Sequence, residues 1–189
     1  MIRFKESDLM QEKDFVKLLS PRVSCLIITK NREGKVNAAP YSFVFPFSFE
    51  PPLIGIGVGK QKMTFKNIQE TKEFSVNIIS EEFAQKAVNC EEKIEFNKRL
   101  EKNDLHTEKS EKINVPRLKE SKAVLECSLS EVLELKEADH AIVVGKVLGV
   151  KAIEENGKID LDSMNYLMHE TAGVFRKLGK KVLLERKKK

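Results

Sequence analysis

Residues 53–59 read LIGIGVG, an alternation of bulky apolar residues with glycine. In a β-strand successive side chains point to opposite faces, so Leu53, Ile54, Ile56 and Val58 leave one face at Gly55 and Gly57 with no side chain. A bare face of this kind admits something close. The preceding run, NAAPYSFVFPFSFEPP from Asn37 to Pro52, mixes strand residues with small and hydroxylated ones that a plain core does not need. Buried backbone polar groups must find partners. The whole stretch Asn37–Gly59, followed by the polar KQKMTFKN, therefore points to backbone brought against a ligand.

The rest of the chain supplies a β-rich frame for that stretch. Phe4–Leu18 has the spacing of an amphipathic helix, with Phe15, Leu18 and Leu19 directed at a core, and Pro21 bars its continuation. Val23–Thr29 is β-branched and apolar, and KNREGK at 30–35 offers a turn before a second strand from Val36 through Val44. Pro46 and Pro51-Pro52 interrupt pairing, which places the intervening loop at an edge or opening of the sheet. Thr64–Thr71 reads as a short helix, Phe74–Ile79 as a strand, and Ser80 as the cap of a helix over Glu81–Val88. Cys90–Lys122 is highly charged and broken by Asn97, Asn103, Asn114 and Pro116, as a loop with short helical pieces covering one end of a barrel would be. Ala123–Leu135 and His140–Ile153 form two long strands joined at KEAD, Asn156-Gly157 marks a turn, and Leu161–Leu178 reads as loop and short helix. Without βαβ alternation, antiparallel strands with inserted helices fit a closed or partly closed β-barrel.

Length favours one domain spanning 1–189. The chain carries 34 Lys and Arg against 29 Asp and Glu, net +5, but Arg186–Lys189 form a basic C-terminal tail, and without it the balance is near neutral. That, with no aromatic-plus-basic strand pattern, argues against nucleic acid. No apolar run reaches the roughly 18 residues of a membrane span, and MIRFKESDLMQEKDF lacks a secretory apolar region, so a cytoplasmic protein without membrane attachment is expected. Cys25, Cys90 and Cys127 are odd in number and far apart, which indicates neither disulfides nor zinc. No His or Cys pair has metal-ligand spacing, and no metal site is expected.

The chemistry-bearing residues gather after the glycine-alternating strand. Lys60, Lys62, Thr64 and Asn67 surround the start of a helix, where free N–H groups and a partial positive charge would hold a phosphate. The plain alternative is that Thr64 caps the helix and the lysines are solvated. Asn37, Ser42 and Ser48 offer amide and hydroxyl groups to the edge of a flat heterocycle, or are ordinary turn and edge residues. His140 and His169 are within reach of a ligand on this outline. There is no P-loop, no GxGxxG after a strand and no GxSxG elbow.

In order and spacing, NAAPYSFVFPFSFEPPLIGIGV followed by TFKNIQETKEFSVNIIS resembles the flavin reductase-like family with the FMN-binding split-barrel fold. That family shows an N-A-x-x-x-S strand, a later Ser, a Pro-Pro strand start, then T-x-x-N-I and F-x-V-N. The likeness continues through Asn97-Lys98, Leu105, Pro116-Arg117-Leu118, LECSL at 125–129 and DHAIVVGKVLGV at 139–150. It implies a mainly β, antiparallel Greek-key split barrel with inserted α-helices, binding FMN as a homodimer with the ring near the dimer interface. Carried over by position, Asn37, Ala38, Ala39 and Ser42 contact the flavin ring, Phe45, Pro46, Phe47 and Ser48 line it, and Gly59, Lys60, Lys62, Thr64 and Asn67 surround the phosphate. His140 matches a frequent family His and is the candidate catalytic residue. Where the family commonly has Gly-Gly-x-Tyr, this chain reads AGVFRKLG with Phe175, so no Tyr contact is implied there.

The resemblance implies an NAD(P)H-dependent flavin oxidoreductase, in which NADH or NADPH is the electron donor and reduced flavin passes electrons to an acceptor, a protein or metal ion among them. The alternatives are a non-catalytic FMN storage or sensing module, an interaction domain without flavin, and related split-barrel chemistry such as pyridoxamine phosphate oxidation.

Overall fold

A computed structural model describes residues 11–184. A 3-10 turn at Glu12–Asp14 runs into α1 (Phe15–Leu18), then come β1 (Arg22–Val23), β2 (Cys25–Lys30), β3 (Val36–Tyr41), β4 (Val44–Ser48) and β5 (Leu53–Gly59). Next are α2 (Met63–Thr71), β6 (Glu73–Ile78) and α3 (Ala84–Asn89), a 3-10 turn at Phe96–Lys98, α4 (Arg99–Lys102), β7 (Thr107–Glu108) and β8 (Arg117–Leu118). The long hairpin β9 (Ala123–Glu134) and β10 (His140–Ala152) follows. The chain closes with β11 (Glu154–Glu155), β12 (Lys158–Ile159), a 3-10 turn at Asp162–Met164, β13 (Leu167–Thr171) and β14 (Val174–Lys177).

Seven strands form one antiparallel sheet in the order β3-β2-β6-β9-β10-β5-β4. It curls on itself: Cys25 and Ile27 of β2, Phe74 and Val76 of β6, Cys127 of β9, Val143 of β10 and Ile54, Ile56 and Val58 of β5 share one buried cluster. Phe65 and Ile68 of α2 plug it. The alternate residues of β2, Leu26 and Ile28, face outward into a second cluster with Phe83, Ala87, Cys90, Leu105, Val115 and Leu118. The charged segment after α3 thus covers the outer face of the sheet beside β2. Polar side chains tether it: Leu118 N donates to Asn77 Oδ1 (2.8 Å) and Ser75 Oγ to Pro116 O (2.8 Å). Glu126, 3% exposed, accepts from the backbone of Glu111 and Lys112 and from Arg117.

Several local expectations are corrected. Of the Phe4–Leu18 helix, residues 4–10 lie outside the described part, and only one α-turn forms in the remainder. Phe15, Leu18 and Leu19 are exposed rather than packed, since a four-residue turn presents no continuous apolar face. The Val23–Thr29 strand is split at Ser24: β1 pairs with β13 while β2 pairs with β3 and β6. Pro46 lies inside β4, which pairs with β5, instead of in a loop; a terminal strand tolerates a residue without an N–H. Ser80 forms a bridge to Tyr166, and α3 begins three residues later than expected. Leu161–Leu178 holds a β-hairpin, β13–β14, which joins β1 in a three-stranded sheet. No described helix is long and apolar enough to cross a membrane.

Candidate functional site

The largest consequence of the LIGIGVG alternation is intramolecular. A Cβ at Gly55 would meet the Phe45 ring at 2.3 Å, and one at Gly57 would meet Phe43 Cβ at 3.1 Å. The chain's own aromatic side chains occupy the bare face over these two glycines. The ligand-sized space opens one step further on, past Gly59, where β10 begins: His140 pairs with Gly59, and Lys60 N donates to Asp139 O (3.1 Å).

There a cleft of about 460 Å³ is walled by Ala39–Phe43, by Gly57, Gly59 and Lys62–Thr64, by His140, and by Cys90, Glu91 and Arg99. This lies within the roughly 300–1,000 Å³ of small-molecule sites. Lys62 is the N-cap of α2 and makes no side-chain cap hydrogen bond. Thr64 is not the cap but the second helical residue, at the buried floor of the cleft.

Behind that floor a fully buried polar network fixes the geometry. Asn37 Nδ2 donates to Thr64 Oγ1 (3.1 Å) and Thr29 Oγ1 (3.4 Å), and Asn67 Nδ2 donates to the same Thr29 oxygen (3.0 Å). Asn37 Oδ1 accepts from Arg99 Nη1 (3.1 Å), which also reaches Ala38 O (3.3 Å). Thr64 Oγ1 accepts from Asn37, so its O–H is the group it can donate, with the Tyr41 oxygen within reach. Arg99 Nε is buried and without a partner among the described residues. Burial pushes the Tyr41 phenol up, opposed by the Thr64 hydroxyl and the Arg99 charge.

The residues singled out in the sequence divide accordingly. Ala39, Ser42, Gly59, Lys62, Thr64 and His140 line the cleft together. Asn37 and Asn67 are wholly buried behind it, and Ala38 belongs to the outer cluster. Lys60 turns away, donating to Leu135 O (2.6 Å). Phe45, Pro46, Phe47 and Ser48 lie on β4 and are not among the lining residues; Phe45 and Phe47 are substantially exposed. His140 Nδ1 bonds Asp139 Oδ1 (2.8 Å), and its ring sits 5.9 Å from that of Phe43. His169 contacts Ser42 through Nδ1 (2.9 Å).

Arg99 was invisible to sequence reasoning. It sits in the charged segment, and only the fold carries it to Asn37, 62 positions earlier. Cys90, at the cleft wall, is buried, and burial pushes its thiol up to about 11.

The comparisons with known proteins agree with this architecture. Residues 20–173 match the family model described as flavin reductase like domain. An uncharacterized protein of Halalkalibacterium halodurans is 31% identical over 95% of this chain and 94% of its own length. The Bacillus subtilis protein YwrF is 30% identical over 96% and 97%. Among solved structures, nitrilotriacetate monooxygenase component B from Bacillus cereus superposes with a TM-score of 0.85 at 27% identity, covering 97% of this chain and 98% of the other. Flavoredoxin from Methanosarcina acetivorans (TM-score 0.77, 24% identity, 97% and 95% covered) shares the fold. A barrel of seven antiparallel strands plugged by one helix, matched along most of its length, makes this chain a member of the flavin reductase-like family, with its split-barrel fold.

Proposed function

We propose that the protein binds FMN in the cleft between β3, the start of α2 and Arg99, and works as an NAD(P)H-dependent flavin oxidoreductase. The observation that carries this is the start of α2, where the N-cap Lys62 and the hydroxyl-bearing Thr64 line one wall of the cleft, with a second cation, Arg99, on the other. These donors suit a phosphate dianion, which takes hydrogen bonds only as an acceptor. The flat backbone of Ala39–Ser42 and the Gly57–Gly59 edge leave room for a ring.

The chain's own groups have limited tasks. Lys62, Thr64 and Arg99 hold the phosphate, Ala39–Ser42 orient the ring, and Phe43 and His140 form the rim. When bound, FMN supplies the two-electron exchange between a reduced nicotinamide and an acceptor. Asp139 accepts from His140 Nδ1, which leaves the other ring nitrogen facing Gly59 and the cleft mouth. Phe45 and Phe47 of the terminal strand, with Phe43 and Phe49 flanking it, are exposed and support a homodimer built on that edge.

The test is anaerobic spectral titration with FMN, then with NADH and NADPH. Micromolar FMN binding followed by bleaching is expected; no binding overturns the reading, and binding without bleaching by either nucleotide leaves a storage or sensing module. Replacing Lys62 and Thr64 together by Ala should weaken FMN by about a hundredfold while barely touching riboflavin. Equal loss for both ligands removes the phosphate assignment.

A further inference from the structure

His169 lies outside the family motifs and outside the cleft lining, yet it is wired to the cleft. On β13, its Nδ1 is 2.9 Å from Ser42 Oγ and 3.4 Å from Arg22 Nη2, and its Nε2 is 3.1 Å from Ala172 O. A carbonyl oxygen only accepts, so Nε2 carries the hydrogen. Nδ1 of the neutral ring is then the acceptor, and the Arg22 guanidinium, which only donates, agrees with that tautomer. The Ser42 hydroxyl therefore gives its single hydrogen to His169. What Ser42 has left is lone pairs, and the residue lines both the 460 Å³ cleft and a smaller cavity of about 80 Å³ on the His169 side.

We propose that His169, backed by Arg22, is a positioning residue that fixes Ser42 as a hydrogen-bond acceptor in the cleft, so that the site selects a ring edge presenting an N–H. This rests on the reading of the cleft as an FMN site. Two flavin groups have this chemistry: N3–H, present in the oxidised ring, and N5–H, present only in the reduced ring. The shared requirement is a donor facing Ser42.

The groups around His169 are consistent with a fixed role. Arg22 comes from β1, its guanidinium stacked 5.4 Å over the Phe43 ring and donating to Val16 O. Phe175 of β14 lies with its ring 5.2 Å from the imidazole. Tyr41 and Glu91 line the same small cavity, and Glu170 is engaged by Arg176.

The experiment measures two ratios in the purified full-length protein and in His169→Phe, His169→Gln, Ser42→Ala and the Ser42→Ala/His169→Phe double variant. One is the Kd of 3-methyl-FMN over that of FMN, and the other the Kd of oxidised over reduced FMN under anaerobic conditions. One neutral hydrogen bond is worth about fivefold. At least one ratio should exceed one by about that factor in the wild type, fall towards one in His169→Phe and Ser42→Ala, and be kept in His169→Gln, whose amide oxygen can still accept from Ser42. The double variant should equal Ser42→Ala. The 3-methyl ratio moving identifies N3–H, and the redox ratio moving identifies N5–H. Both ratios unchanged in His169→Phe, or a further change in the double variant, overturns the proposal. Should His169→Phe fail to fold, Ser42→Ala and His169→Gln still decide: both ratios unchanged in Ser42→Ala, or lost in His169→Gln, overturn it equally. Wild-type protein that does not bind FMN at all refutes instead the reading of the cleft.

Discussion

The two walls of the cleft are held in different ways. One wall, β3 with the start of α2, is regular strand and helix, with Phe65 and Ile68 of α2 in the barrel core and Tyr41 of β3 packed against it, and its geometry follows from a short run of sequence. The other, Cys90, Glu91 and Arg99, belongs to a segment with little regular structure, laid on the outside of the sheet and pinned by polar contacts reaching back across the chain. The first wall adds a buried polar network of Asn37, Thr64, Thr29 and Asn67 to the packing of α2 on the barrel, and the second adds long-range hydrogen bonds and ion pairs to its own outer apolar cluster. Only the second can be loosened without dismantling the barrel.

Asn37 joins them, so the largest effect is expected there. Asn37→Ala empties a wholly buried position and strips partners from Thr64 and the half-buried Arg99, and should cost about 3 kcal/mol of stability together with FMN binding. Urea denaturation of the variant checks this; a loss below about 1 kcal/mol would mean that the network is not what couples the walls. Arg99→Ala removes the second wall's tie to Asn37 and Ala38 of β3. FMN affinity should drop about tenfold, while Cys90, whose thiol contacts the Arg99 backbone carbonyl that the variant keeps, should stay closed to alkylation. With the thiol pushed up to about 11, the native thiolate fraction near neutrality is on the order of one in ten thousand, so labelling of the wild type should await unfolding. Rapid wild-type labelling would contradict the closed wall.

Acid should separate the two walls further. Hydrogen bonds from Lys151 and Arg117 hold the Glu108 carboxyl down to about 2 from an ordinary 4.5. A carboxyl lowered by folding contributes stability above its unfolded value and loses it as the pH falls towards the folded one. Between about 4.5 and about 2, amides of 106–118 should lose exchange protection before those of β2 and β3. Simultaneous loss would show one cooperative unit. The smallest effect is expected at Lys60, whose ammonium is committed to the β9–β10 turn: Lys60→Ala should leave FMN affinity within about twofold, while Lys62→Ala alone should lower it about tenfold.

The same contrast explains what could be read from sequence. Strands β2, β3, β5, β6, β9 and β10 were legible because each has an apolar face, and the turns at Asn31–Gly34 and Lys136–Asp139 carry their own punctuation. The resemblance brought the flavin reductase-like fold and most of the first wall. Hairpin β13–β14 was missed because every residue of β13 is only half-buried, so no alternation shows, and because Ala172, not a glycine or asparagine, takes the left-handed turn position at φ 46°. Asn37 was placed on the ring, while the structure encloses it behind the floor, since the sequence cannot say which side of a strand faces the cleft. Arg99 had no local signal at all.

Pro46 sits midway along the last strand of the barrel's seven, between two exposed phenylalanines. A strand with a proline in its middle cannot offer an incoming strand an unbroken row of amide donors. The rim is thereby closed to open-ended, strand-upon-strand growth. One residue thus guards this edge of the sheet against strand-by-strand addition.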